Sequence, residues 1–352
     1  MTRKILVSIV IDTLVLAVFL LTFAYFHHVR VRNEAPTAIA SSAAVSQSIT
    51  AAQPTASPEA QPTTSADAGQ QDAPSSDGLD TSGQFGAKFA DQFAQGDTVE
   101  SGDTFYRSKN ISITLEQKQT DNTTYFLADI YVRDINCFRT AVALEYKEHN
   151  DTNRKNCMQV LQLDELTGAI LALSGDNYVF RNAGLLAIRN GLEWEKDLPF
   201  SDDICTLFYD GTMETFSSKS SSVIKQYVEE LYTRSPYQVW CFGPMLLDAE
   251  GQPMTKFNSS VGTENPRSVF GYYEPGHYCF LLADGRQKNY SIGLTLTQMS
   301  QIFYDLGCKA AYNLDGGDTV AMTFNDALVN HPEEAEPRAV SDILYIAEPQ
   351  EG

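Results

Sequence analysis

Aspartates, arginines and asparagines recur in this chain directly after short apolar runs. The clusters are Asp176-Asn177, Arg189-Asn190-Gly191, Asn265-Pro266-Arg267, Asp284-Gly285-Arg286 and Asn313-Leu314-Asp315-Gly316-Gly317-Asp318, with Thr319 next in line. Loops held at the ends of rigid strands are where binding and catalytic groups concentrate. The residue types divide the chemistry between them. Arginine presents a planar fork of donors that grips a phosphate bidentately, so Arg189, Arg267 and Arg286 are candidates for an anionic substrate group. The carboxylates of Asp176, Asp284 and Asp315 are candidates for a base, a nucleophile or a clamp on a sugar. Asn190, Asn265, Asn313, Gly316, Gly317, Asp318 and Thr319 would complete the binding surface. Each residue also has a plainer reading, as a surface salt bridge or a turn-stabilising side chain. Their shared position after apolar runs is what favours the chemical one.

The most concentrated stretch is Lys309–Asn325, KAAYNLDGGDTVAMTFN. It reads as strand, acidic glycine turn, strand. Two glycines let the backbone take positive φ and approach a ligand closely. Asp-Gly is also a common hairpin signal, so an ordinary hairpin is the alternative. Other catalytic templates are missing: there is no GxSxG elbow, phosphate-binding P-loop or HExxH. His149, His277 and His331 lack metal-ligand spacing. The expectation is no cofactor, with a divalent cation on the aspartate-rich loops left open.

The elements that must position these residues are mostly short strands. Ile111–Leu115 and Tyr125–Arg133 alternate and would be joined by a turn at 121–124. Ser268–Tyr272 and Tyr278–Ala283 flank Pro275-Gly276, and Ser341–Ala347 would close the domain. Val239–Leu247 is broken by Gly243-Pro244, so that strand is an edge, is bulged, or ends there. Two helices stand out. Ser222–Tyr232 places Val223, Ile224, Tyr227, Val228 and Leu231 on one face, and Leu296–Leu306 starts at a Thr295/Gln298 capping box and stops at Gly307. The pattern predicts an α+β domain over residues 104–347, built around a mixed, mainly antiparallel sheet with a few helices.

Ahead of it, Ile5–Phe26 is an apolar run long enough to span a bilayer. Residues 1–32 are therefore expected to be a membrane anchor, with the C-terminal domain extracytoplasmic. Residues 33–103 are rich in Ala, Ser, Thr, Pro and Gln and read as a disordered linker. Within it, Phe85, Phe89 and Phe93 are spaced to form a short amphipathic helix that docks on the domain. The formal net charge of −20 argues against a nucleic-acid partner. Six cysteines without a CxxC pair permit disulfides but not a zinc site. Cys241 and Cys279 equally read as small buried hydrophobes.

The order SGDNYVFR, LLAIRNG, FYDG, VWCFGPMLLDAEG, NPRSVFGYYEPGHYCFLLADGR, GLTLTQMSQIFYDLGCKAAYNLDGGDTVAM and SDILYI resembles the phosphodiester glycosidase family over roughly residues 111–347. That family includes many bacterial surface proteins labelled as exopolysaccharide-related. The resemblance implies hydrolysis of a sugar-1-phosphate diester, with a carbohydrate or sugar-phosphate substrate on extracytoplasmic glycans. It assigns the site to Asp176, Arg189, Asn190, Gly191, Asn265, Arg267, Asp284, Gly285, Arg286, Asn313, Asp315, Gly316 and Gly317. The family often continues with Gly and Ser where this chain has Asp318 and Thr319. Two alternatives follow: a catalytically silent carbohydrate-binding module of the same fold, or a metal-dependent phosphodiesterase attacking phosphorus.

Overall fold

A computed structural model describes residues 79–120, 122–143, 157–176, 186–196, 203–334 and 336–349. The expected anchor, and the linker up to residue 78, lie outside the described residues. No helix among the described residues is long and apolar enough to cross a membrane.

Three sheets replace the single mixed sheet expected, and every strand pairing among the described residues is antiparallel. The large sheet runs, in spatial order, Glu100–Gly102, Phe105–Arg107, Ile111–Thr120, Thr123–Val132, His277–Ala283, Arg267–Glu274 and Ala310–Asn313. A second sheet orders Met213–Phe216, Ile204–Phe208, Pro236–Trp240, Leu186–Arg189 and Leu192–Lys196. The third orders Ala327–Leu328, Met322–Phe324, Leu171–Ser174, Asp342–Ile346 and Phe138–Val142. The reason for the difference is local. Antiparallel neighbours need only short connections, and nothing in a short apolar run says which sheet it will join.

The hairpins follow the alternation. Ile111, Ile113 and Leu115 face inward opposite Val132, Ile130 and Ala128, and Thr120 pairs with Thr123 at the turn. Arg267–Glu274 and His277–Ala283 pair from Arg267↔Ala283 to Glu274↔His277 around Pro275-Gly276. The strand expected across Val239–Leu247 ends at Trp240, before Gly243-Pro244.

Helix Leu296–Asp305 starts as its capping box predicts: Gln298 N–H donates to Thr295 Oγ1 (3.1 Å) and Thr295 N–H to Gln298 Oε1 (2.9 Å). Met299 and Phe303 bury against the outer face of the large sheet, beside Val269, Leu281 and Ala311. Gly271 makes that approach possible, because a Cβ there would sit 2.5 Å from the Phe303 ring. Helix Ser221–Thr233 buries Ile224, Val228 and Leu231, but Val223, expected on that face, is 45% exposed. A third helix, Val160–Thr167, was hidden in an apolar run too short for its period to show.

The three sheets share one core. Phe138 of the third sheet, Phe270 of the large sheet and Trp240 of the second meet, with ring centroids 5.0 Å (Phe138–Phe270), 5.7 Å (Trp240–Phe270) and 6.4 Å (Phe138–Trp240) apart. Burial of such rings is the main favourable term holding the layers together.

The folded part begins well before the expected boundary at Thr104. Phe85, Phe89 and Phe93 are all buried, with a short helix over Gly86–Phe89. Arg133 lies over the Phe93 ring at 4.7 Å and donates to the carbonyl of Ser82 (2.8 Å). The polar composition of residues 33–103, averaged over the stretch, masked three aromatics that bury real apolar area. Phe93→Ala should therefore lower stability by about 3–5 kcal/mol, read from urea unfolding of the full chain. An unchanged midpoint would mean that this segment is not part of the core.

Candidate functional site

Asn313–Thr319 is not a hairpin turn. The strand that enters it belongs to the large sheet and the strand that leaves it, Met322–Phe324, to the third, so the loop crosses between layers. Backbone bonds pin it on both sides. Leu314 N–H donates to Ser268 O (2.8 Å), Asp315 N–H to Gly175 O (3.0 Å) and Gly317 N–H to Pro266 O (3.1 Å). A 3-10 turn, Gly317–Thr319, follows, and the Thr319 hydroxyl donates to Gly316 O (3.0 Å). Both glycines are required. A Cβ on Gly316 would lie 2.8 Å from Pro266 O, and Gly317 has φ +69° with the Arg286 guanidinium against it. Asn313 anchors the start, donating to Gly243 O (2.8 Å) and Leu314 O (2.9 Å).

Beneath the loop lies a buried ion triad. Arg189 Nε donates to Asp342 Oδ2 (2.7 Å) and Nη2 to Asp176 Oδ2 (3.3 Å), with all three side chains at zero exposure. Its Nη1 donates to Val239 O and Ile188 O. Asp342 Oδ1 accepts Asp176 N–H (2.6 Å) and Asp176 Oδ2 accepts Cys241 N–H (3.0 Å). A buried charge is tolerated only when its partners saturate it, and here they do. The triad joins the second sheet, through Arg189, to the third, through Asp176 and Asp342. The Arg189 guanidinium, expected on a phosphate, is instead sealed between Asp176 and Asp342.

Asn190 is also corrected. It sits with Gly191 at the tip of a two-residue hairpin, both at positive φ. Its side chain is spent on Thr140 N–H (3.0 Å), Thr140 O (2.7 Å) and Gln238 Nε2 (2.7 Å).

The remaining carboxylates differ in how fully they are held. Asp284 accepts three donors, Asn330 Nδ2 (2.9 Å), His331 N–H (3.0 Å) and the Tyr290 hydroxyl (3.0 Å). Burial raises its pKa and those bonds oppose the rise. Asp315 accepts Gly316 N–H at 3.0 Å and Arg338 Nη2 at a long 3.4 Å. It retains 8% exposure against 1% for Asp176 and Asp284. Burial pushes its carboxyl up to about 6, with Asp176 adding to the rise and Arg338, Thr319 and Gly316 opposing it. A carboxyl so placed, partly desolvated and weakly tethered, has the properties of a reacting group.

Two arginines flank the other end of the loop. Arg267 is buried and donates only to carbonyls, Leu294 O (3.0 Å), Val261 O (2.9 Å) and Thr263 O (2.7 Å). Burial and then the charge of Arg286 push its pKa down to about 10. Arg286, at φ +59°, pairs through Nη1 with Asp318 Oδ1 and donates weakly to Asn265 Oδ1 (3.4 Å). Pro266, Asp284, Gly285, Gly317, Asp318 and Glu333 line a small cleft beside the loop. Among the described residues no group of three or more His, Cys, Asp or Glu is placed to hold a metal ion.

The structure therefore brings together Asp315, Gly316, Gly317, Asp318, Thr319, Asn265, Arg267, Asp284 and Arg286. It places Asp176 and Arg189 underneath and Asn190 elsewhere. Asp342, Arg338, Asn330, His331 and Tyr290 were not foreseen. Ser341-Asp342 precedes its apolar strand instead of following one, so the signature of the other clusters does not mark it. Arg189→Met should cost about 3–5 kcal/mol of stability, because it strands two buried carboxylates. A folded variant of normal stability with a raised KM would instead restore the phosphate role.

A family model described as phosphodiester glycosidase matches residues 169–347, just over half of the chain. The SPbeta prophage-derived uncharacterized protein YomE of Bacillus subtilis (strain 168) is 26% identical over 152 residues, 42% of this chain. This chain's match spans about a fifth of that relative, 22% of its length. The zebrafish N-acetylglucosamine-1-phosphodiester alpha-N-acetylglucosaminidase catalytic domain, auto-inhibited by its pro-peptide, superposes with a TM-score of 0.51 at 17% identity, over 73% of this chain and 86% of that one. This likeness is one of fold. The family model covers the second sheet, the third sheet except Phe138–Val142, and the Arg267–Glu274, His277–Ala283 and Ala310–Asn313 strands of the large sheet, and the chain belongs to the phosphodiester glycosidase family.

Proposed function

We propose that this protein hydrolyses a sugar-1-phosphate diester, breaking the bond between the anomeric carbon and the phosphate oxygen. The observation that carries the reading is Asp315. It is a desolvated carboxyl with a pKa of about 6, on a glycine loop whose far end is flanked by Arg267 and Arg286. In such a substrate the leaving group is already a stabilised anion, so strong acid assistance is unnecessary. The needs are a carboxylate at the anomeric carbon and positive charge at the phosphate. In this reading Asp315 serves as the nucleophile or activates water, and Arg267 and Arg286 receive the phosphate. Asp176 and Asp284 hold the loops in place, and Asn265, Asn313, Gly316, Gly317 and Thr319 shape the floor.

The zebrafish protein is named for an N-acetylglucosamine-1-phosphodiester, and a sugar phosphate of that kind within an extracytoplasmic glycan or exopolysaccharide is the proposed substrate class. The apolar run Ile5–Phe26 and the polar stretch behind it support a membrane-anchored protein with its catalytic domain outside the cytoplasm.

A chromogenic N-acetylglucosamine-1-phosphodiester should be turned over, with water oxygen appearing on the sugar. Label on phosphate, together with chelator sensitivity, would replace this reading with the metal-dependent phosphodiesterase. Asp315→Asn should cut kcat roughly a hundred- to ten-thousandfold while the protein stays folded. Because the ionised carboxylate is the active form, kcat/KM should rise with pH through about 6 and then level. Arg267→Ala should raise KM for the phosphodiester far more than for a neutral glycoside. Equal effects on both substrates would remove Arg267 from phosphate binding.

A further inference from the structure

Asp318 follows Gly316 and Gly317 in the loop, and its side chain has a definite partner. Its carboxylate pairs with Arg286 Nη1, and both side chains are about half exposed, at 49% and 40%. Its carbonyl accepts Arg338 N–H (2.7 Å), so the backbone under it is held independently of the carboxylate. An exposed ion pair of this kind is weak. An incoming anion can take over Arg286 at small cost, but it then faces the displaced carboxylate. Arg267 has no carboxylate partner and gives its N–H groups only to backbone carbonyls. The charge at the cleft is therefore Arg286 offset by Asp318, with Glu333 and Glu334 on the cleft wall.

We propose that Asp318 sets the charge specificity of this site, fitting it to the single negative charge of a phosphodiester and against the doubly charged phosphomonoester released by hydrolysis. The inference rests on the glycosidase reading above. When water replaces phosphate at the anomeric carbon, the electron pair of the broken C–O bond stays on the phosphate oxygen. The proton from water leaves through the carboxylate base. The departing phosphodiester is now a monoester, whose second proton comes off near a pKa of about 6. The product thus gains negative charge exactly where Asp318 already supplies one. Asp318 weakens product binding more than substrate binding, and so speeds release.

The test measures binding of two small probes to the full chain at pH 8 by calorimetry: dimethyl phosphate, a monoanion, and methyl phosphate, a dianion. Asp318→Asn should tighten methyl phosphate about tenfold and dimethyl phosphate only about two- to threefold, with the gain shrinking as salt is raised. Asp318→Glu, which keeps the charge, should remain weak. Adding Arg286→Gln to Asp318→Asn should abolish the gain. Equal tightening of both probes, or no binding of methyl phosphate to Asp318→Asn, overturns the proposal. Turnover of the chromogenic diester is read in parallel. Turnover with unchanged probe affinities removes the role of Asp318 alone. The predicted affinity changes without any turnover remove the catalytic reading and leave an anion-selective binding site.

Discussion

Arg189 is permanently charged, and its side chain has no exposure to water. Such a group is tolerable only if carboxylates and carbonyls surround it on every side, and that demand brings Asp176, Asp342 and the Val239 carbonyl to one point. Two sheets are locked together as a result. The Asp176 backbone is held by Asp342, and a Cβ on Gly175 would collide with the Asp342 carboxylate at 2.3 Å. Gly175 in turn offers the carbonyl that receives Asp315 N–H. The position of the candidate reacting group is thus inherited, through two intermediates, from a buried arginine.

From that anchor outward, the carboxylates lose partners as they approach the surface. Asp176 is saturated, Asp284 takes three donors, and Asp315 takes one short bond and one long one. Desolvation without full compensation is what lifts a carboxyl toward neutral pH, so the same gradient that holds the loop also tunes its aspartate. At the other end, burial and then the charge of Arg286 lower the pKa of Arg267. Asp318 relieves part of that strain from within the chain.

Local patterns translated well into local structure. The Thr295/Gln298 box capped the helix it announced, and the alternation of Ile111, Ile113 and Leu115 became a core-facing strand. The Phe85, Phe89 and Phe93 spacing did become a docked segment, inside a stretch whose overall composition pointed to disorder. Several failures were questions of partnership. Ala310–Asn313 and Met322–Phe324 look like the arms of one hairpin, yet each pairs elsewhere. Arg189 and Asn190 carry the residue types of a binding site but fill their bonding capacity inside the fold.

The sequence by itself determined which residue types cluster at strand ends, the order of those clusters, the glycine loop and the family they resemble. These are properties of consecutive residues, set by backbone sterics and by the alternation or period of side chains. Only the tertiary structure decided which arginine is sealed and which is open, and which aspartate is left under-bonded. It also decided that Asp318 answers Arg286, 32 residues away along the chain. Burial and pairing depend on what the rest of the chain places around a side chain, and a carboxylate's role follows from that environment rather than from its neighbours in sequence.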